Sequence, residues 1–333
     1  MFDVGRSMFD VRFFFRAGLN VRRSLAYHST MPETPLLYSV NASALSTDPR
    51  EAALIARRIG FAGLLFDAYS SGLTLTDLSA TGRREFRHIL SAQDRQLVGF
   101  RVDVGLKGFG PGADVDRLLS QFDKVMEAAA SMAAPLLCVE TGVLPEAPVR
   151  PTVKPKITAE QAGLILIPTF AAAEPEETTP PPKQTPAEMA FQSQVDAALF
   201  ELGALADRYK VAVALHSDLS SFAAIERALA AARCPWFGVN LDPVSILRDG
   251  MNMDEVFARL GSLVRHVRAR DAVVGADKRT KPASVGRGDT KWDHLLSNLE
   301  GAGYHSWITF DPTELADRAG AAISGLKYLK LHE

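Results

Sequence analysis

The stretch LVRHVRARD (263–271) opens apolar and closes on charge, with three arginines, a histidine and an aspartate in its last seven positions. Side chains alternate faces along a strand, so His266, Arg268 and Arg270 share one face while Arg265 and Val267 share the other. Strand-like runs of similar length recur along the chain: LLYSV (36–40), AGLLF (62–66), LVGFRVDV (97–104), PLLCVE (135–140), VAVAL (211–215), WFGVNL (236–241), LVRHVRA (263–269) and WITF (307–310). Between them lie segments with apolar residues at i, i+3 and i+4, over 48–60, 81–94, 114–132, 190–210, 221–233, 253–261, 289–303 and 314–329. Several begin on Asp, Ser or Thr and end near Gly, as helices do.

Eight strands alternating with eight helices predict parallel strands joined by right-handed crossovers, closed into an α/β fold of the (β/α)8 TIM-barrel type. An open doubly wound sheet is the runner-up. It usually carries a Gly-rich phosphate turn after its first strand, and here that turn reads SVNASALSTDP, without G-x-G-x-x-G.

One segment breaks the rhythm. Residues 143–186, after the fourth run, are rich in Pro, Thr and Glu and form a long insertion at the end of the barrel where βα loops build sites. AGLILIPTF within it predicts a short extra strand, whereas EPEETTPPPKQTP reads as mobile and exposed. A lid and a tolerated surface excursion are the two readings. Residues 1–32 also stand apart, repeating MFDV with no apolar stretch long enough for a secretory signal. They read as a disordered extension, or as sequence upstream of a true start, ahead of a single barrel domain over 33–333.

With 47% hydrophobic and 23% charged residues and a formal charge of -2, the chain has the composition of an ordinary globular protein. No basic excess points to nucleic acid, and no run of about 18 apolar residues points to a membrane span. Cys138 and Cys234 lie in apolar surroundings and read as buried thiols of a reducing, cytoplasmic compartment.

The last four strands end on His216 (VALHSD), Asp242 (GVNLDP), Arg268 (HVRARD) and Asp311 (ITFDPT). Alone, each could be a helix cap; together they fall at the face where such barrels do chemistry. By alternation Arg268 points into the barrel mouth, and His266 is a core residue one layer deeper. Asn41, Asp67, Asp103 and Glu140 stand at the ends of the first four strands; each reads equally as a pocket residue or as a cap, and Glu140 is a substrate-binding candidate. After the seventh strand the loop carries Lys278, Arg279, Lys281, Arg287 and Lys291. It reads either as a solvated basic loop or as an anion site approached by the Gly286 and Gly288 amides.

The succession ALHSDL, VNLDP, HVRARD and VGRGDTKWDHLLSNLEGAGYHSWITFDPTE, with GFAGLLFDAYSSGLTLTDLSATGRREFRHIL in the first half, resembles the xylose isomerase-like TIM barrels of the sugar phosphate isomerase/epimerase group. The resemblance spans about residues 36–330. It implies a divalent ion, often manganese, bound by Glu, Asp, His and Glu from strands five to eight, with the two Glu moving protons. Here Asp242 matches, while His216, Arg268 and Asp311 stand at the other three ligand positions, and Ser245 replaces a histidine. Asp271, Gly286, Gly288 and Trp292 match.

A guanidinium has no lone pair to offer a metal. At about 4 Å and an effective dielectric of about 20 it would oppose a dication by roughly 8 kcal/mol. The expectation is therefore no cofactor, with Arg268 between Asp242 and Asp311 in the ion's place. The alternative is manganese or zinc on His216, Asp242 and Asp311, with Arg268 swung away.

Three functions follow from the resemblance. The first is a sugar or sugar-phosphate isomerase/epimerase acting by proton transfer next to a carbonyl. In it His216 and Asp311 are the bases and Arg268 the electrophile, and Asp242, Asp271, Lys278, Arg279, Arg287, Trp292 and Glu140 hold substrate. The second is a barrel that binds a sugar without turnover, and the third a metal-dependent lyase or hydrolase. The partner is a small carbohydrate, phosphorylated or acidic in one version; a homo-oligomer is compatible with the fold.

Overall fold

The computed structural model describes residues 36–146, 184–276 and 279–332. Residues 1–35, most of the insertion and Lys278 lie outside the described residues, so the expectations made for them stay where the sequence left them.

The elements run β1 (Leu37–Asn41), α1 (Pro49–Ile59), β2 (Gly63–Asp67), β3 (Tyr69–Ser70), β4 (Leu73–Thr74), α2 (Ala80–Ala92), β5 (Gln96–Asp103), α3 (Val115–Ser131), β6 (Leu136–Glu140) and α4 (Pro186–Tyr209). They continue with β7 (Ala212–His216), α5 (Phe222–Ala232), β8 (Phe237–Leu241), α6 (Pro243–Asp249), α7 (Met253–Leu260), β9 (Val264–Ala269), β10 (Asp271–Val274), β11 (Thr280–Ala283), α8 (Trp292–Gly301), β12 (Trp307–Phe310) and α9 (Arg318–Leu329). Eight strands close into a parallel barrel in the order β1-β2-β5-β6-β7-β8-β9-β12, β12 returning to pair with β1. This is the (β/α)8 architecture, and the long insertion separates β6 from α4.

Local chemistry sets the helix ends. The Asp48 side chain accepts the Arg50 amide ahead of Pro49, and Gly60 closes α1 in the left-handed region with φ 101°. Thr185 and Glu188 form a reciprocal capping box at the start of α4. Inward faces are small where helices lie close to the barrel: Ala52, Ala53 and Ala56 of α1 are fully buried.

The barrel interior has three levels. At the floor, Leu65, Val98, Leu136, Cys138, Ala214 and Trp307 form an apolar cluster. Gly63 belongs to that level because a Cβ there would come within 2.9 Å of the Trp307 ring. Above it lies a neutral polar layer. Ser39 Oγ and Thr309 Oγ1 are 2.6 Å apart, His266 Nε2 is 2.6 Å from Thr309 Oγ1, and His266 Nδ1 is 2.7 Å from Asn240 Oδ1. All four residues are buried. Hydroxyls donating from Ser39 through Thr309 to Nε2, with Nδ1–H donating to Asn240, satisfy the chain with a neutral imidazole. The third level, at the C-terminal ends of the strands, is charged.

Candidate active site

The charged level is assembled at the C-terminal ends of seven barrel strands. Asp67 of β2, Arg101 of β5, Glu140 of β6, His216 of β7 and Arg268 of β9 lie within strands, and Asp218, Asp242, Arg270, Asp311 and Glu314 lie just beyond the ends of β7, β8, β9 and β12. β9 carries Arg268 inward with its side chain only 9% exposed. Its Nε and Nη2 meet Asp311 Oδ2 at 2.8 and 2.7 Å, and its Nη1 donates to Glu140 Oε1 at 3.2 Å. The same Nη1 stands 3.8 Å from Asp242 Oδ2 and 4.0 Å from Asp218 Oδ2. The guanidinium thus occupies the space among four carboxylates. Burial alone would weaken its hold on the proton, but the charges of Asp311, Glu140, Asp242 and Asp218 raise its pKa well above the ordinary value.

Two more arginines complete the array. Arg101, inward on β5, donates to Asp67 Oδ1 at 2.6 Å and to Asp311 Oδ2 at 2.8 Å. Arg270, one turn of the pleat above Arg268, donates to Asp218 Oδ1 at 3.0 Å and Glu314 Oε1 at 2.8 Å. Its Nε lies 2.8 Å from Asp242 Oδ2, a charge contact whose N–H is not aimed at the oxygen. Asp242 spends its other oxygen as the N-cap of α6, accepting the Val244 amide at 2.9 Å.

His216, at the end of β7, is 1% exposed. Its Nδ1 is 2.5 Å from Glu140 Oε2, and its Nε2 is 3.2 Å from Ser245 Oγ, 3.6 Å from Asp242 Oδ2 and 3.7 Å from Asp218 Oδ1. Burial pulls its pKa down, yet the Glu140 charge and hydrogen bond, with Asp242, bring it above the ordinary imidazole value. Glu140 shows the reciprocal balance: burial works against ionisation, but His216 and Arg268 hold its carboxyl well below the usual range. Asp311 behaves likewise between Arg268 and Arg101. A cavity of about 610 Å³ opens onto this level, lined by Asp67, Arg101, Glu140, Asp218, Arg268 and Thr313 among others.

Sequence comparison decides the family. A model described as xylose isomerase-like TIM barrel matches residues 54–332. The chain belongs to that family. No curated protein matches the sequence. Among solved structures, a xylose isomerase domain protein from Planctomyces limnophilus superposes with TM-score 0.65 at 15% identity, covering 90% of this chain and 96% of that one. A D-allulose 3-epimerase from Methylomonas sp., solved with D-allulose, gives 0.60 at 14% identity and 90% and 97% coverage. A probable 3-DHS dehydratase from Bacillus anthracis gives 0.61 at 12% identity, with 89% and 99% covered. At these identities the likeness is one of fold.

Against the ligand pattern of a xylose isomerase-like barrel, this donor set does not suit a divalent ion. The expected trio of His216, Asp242 and Asp311 does not close around a free position. Asp311 Oδ2 is taken by Arg101 and Arg268, and its Oδ1 accepts from the Thr313 hydroxyl at 2.6 Å. Among the described residues the atoms that do converge belong to Glu140, His216 and Asp218, all within 4.8 Å. There Glu140 and His216 are bonded to each other, and Arg268 or Arg270 contacts each carboxylate.

Placement of the other sequence candidates sorts them clearly. Arg268 and Glu140 line the cavity; His216 lies behind Glu140, sealed from it, and Asp311 is 5% exposed. The bases expected there are therefore covered, and the acids that face the opening are Glu140, Asp67, Asp103 and Asp218. Asp271 is not a cavity group. Its Oδ2 accepts from the Gly286 and Gly288 amides at 2.9 and 3.1 Å and from Trp292 Nε1 at 3.1 Å, and its Oδ1 accepts from the Thr290 amide at 3.1 Å. The anion those glycine amides meet is the chain's own carboxylate, and Trp292, 1% exposed, packs beneath it. Arg279 and Arg287 lie exposed on the loop around the β10–β11 hairpin, away from the cavity lining.

Arg101, Asp218 and Arg270 were not singled out from sequence. Arg101 carried a readable signal: in LVGFRVDV, Phe100 and Val102 take one face and Arg101 and Asp103 the other, so its charge had to enter the barrel. Asp218 sits in a turn and had none.

Proposed function

We propose that the mouth of this barrel binds a polyhydroxylated compound of the sugar class through its own side chains, without depending on a divalent ion. The observation that carries the reading is the seat of Arg268, bonded to Asp311 and Glu140 on the wall of the cavity. A guanidinium there supplies fixed positive charge and directed N–H donors toward a carbonyl or hydroxyl oxygen. Around it, carboxylate acceptors alternate with arginine donors, an array suited to sugar hydroxyls, which both give and accept hydrogen bonds. The epimerases of the same fold support a carbohydrate ligand.

A second reading, turnover by proton transfer next to a carbonyl, is favoured by one feature: the 2.5 Å contact between Glu140 and His216 at the edge of the cavity. Glu140 would take the proton from the carbon beside the carbonyl as the electron pair moves to the carbonyl oxygen. Arg268 would hold that oxygen, and return of the proton would complete the exchange. The charge of His216, with those of Arg268 and Arg101, weakens Glu140 as a base, so turnover by this route is expected to be slow.

Saturation-transfer NMR with D-allulose and D-fructose in EDTA tests both readings. Binding that persists in EDTA is the expected result, and binding that appears only with added manganese or zinc overturns the ion-independent site. In D2O, deuterium entering the carbon beside the carbonyl, and lost in Glu140→Gln, establishes turnover. Binding without exchange leaves a binding barrel.

A further inference from the structure

The floor and the rim of the same cavity differ in chemistry. Its lining includes Tyr69 from the β3–β4 hairpin, Leu106 from the loop after β5 and Leu219 from the loop after β7. These side chains are 42%, 77% and 50% exposed. An exposed leucine by itself is ordinary. Three large apolar residues from three separate βα loops line this one opening, which sets them apart from apolar residues scattered singly over a surface. Below them the wall is Arg101, Glu140, Asp218 and Arg268, which offers nothing to an apolar group. A volume of about 610 Å³ falls in the range of sites for drug-sized ligands and leaves room for more than a single sugar ring.

From this two-storey cavity we infer that the ligand is a conjugate: a polyhydroxylated ring against the charged floor, joined to an aryl or other apolar group held by Tyr69, Leu106 and Leu219. The inference deepens the carbohydrate reading above and rests on it. The apolar part contributes affinity through surface removed from water, while the charged floor fixes orientation. Leu106 and Leu219 are then specificity residues that set which substituent the sugar carries.

Isothermal titration calorimetry on the full chain with methyl and phenyl β-D-glucopyranoside, a pair differing only in the group on the anomeric oxygen, tests it. The phenyl compound is expected to bind about tenfold more tightly. In Leu106→Ser/Leu219→Ser that ratio is expected to fall to about one. Ile323→Ser, which removes an equally exposed apolar residue from α9 outside the cavity, is expected to keep the wild-type ratio. Equal affinities in the wild-type chain, or a ratio unmoved by the double substitution, overturn the inference. A chain that binds D-allulose yet treats the two glycosides alike loses only the apolar subsite. A chain that binds neither D-allulose nor the glycosides loses the carbohydrate reading as well.

Discussion

His266 and His216 are both sealed inside the barrel, at 0% and 1% exposure, on neighbouring levels of the same interior. Their pKa values move in opposite directions. Burial, with Arg268 overhead, pulls His266 down to about 3, while for His216 the charge of Glu140 and its neighbours outweighs an equally complete burial. His266 has been given hydroxyl and amide partners, and His216 a carboxylate. Burial therefore does not decide whether an interior imidazole carries charge; the partner on its nitrogen does. The boundary between a neutral polar layer that organises the core and a charged layer that faces the cavity is drawn within a few ångströms, by side-chain choice alone.

The comparison breaks most visibly at Arg268. Arg268→Met removes the cation shared by Asp311 and Glu140 and leaves one buried and one partly buried carboxylate under-compensated. A loss of about 3–5 kcal/mol is expected in chemical denaturation, since stripping one partner from a buried ion pair exposes the full desolvation cost of the other. Unchanged stability would mean that Arg101 and His216 suffice to hold the layer. His266→Phe attacks the neutral layer. It leaves Asn240 and Thr309 without their ring partner and is expected to cost about 2–3 kcal/mol by the same measurement.

The pH response is smaller near neutrality and sharpens the contrast. His216, with its folded pKa raised, stabilises fully below the unfolded imidazole value of about 6.5, and this contribution is lost as pH rises through its folded value. His266, depressed to about 3, contributes above about 6.5 and loses that contribution as pH falls toward 3. Glu140 and Asp311, also depressed, add to the acid-side loss. Imidazole NMR titration is expected to find one ring neutral across the neutral range and the other still protonated where a free imidazole has let go. Two rings titrating together would remove the distinction.

Most of the barrel was legible because strand alternation and helical spacing are local rules. All eight apolar runs became barrel strands within a residue or so of their expected limits. The short helix α6 was not legible, since Asp242 looks the same in sequence whether it ends a strand or caps a helix, and here it does both. The β10–β11 hairpin was read as loop because its polar, Pro-containing strand β11 lacks an apolar face. At the site, the inward turn of Arg268 followed from parity. The sharing of Asp311 between Arg268 and Arg101 did not, because Arg101 and Asp311 lie 210 residues apart and only barrel closure brings them together. The loop glycines illustrate the same limit: their amides were aimed at an anion, and that anion was a residue of the chain.

A cation that is a side chain behaves unlike one taken from solution. Arg268 is attached to β9 by its own carbons. No chelator can strip it, no scarcity of trace elements can leave it missing, and no competing ion can take its seat. Its charge is delivered with the polypeptide at synthesis, so the mouth is poised from the moment the barrel closes. The same permanence fixes it at one unit of charge, and a shift in the cell's ion supply cannot retune it.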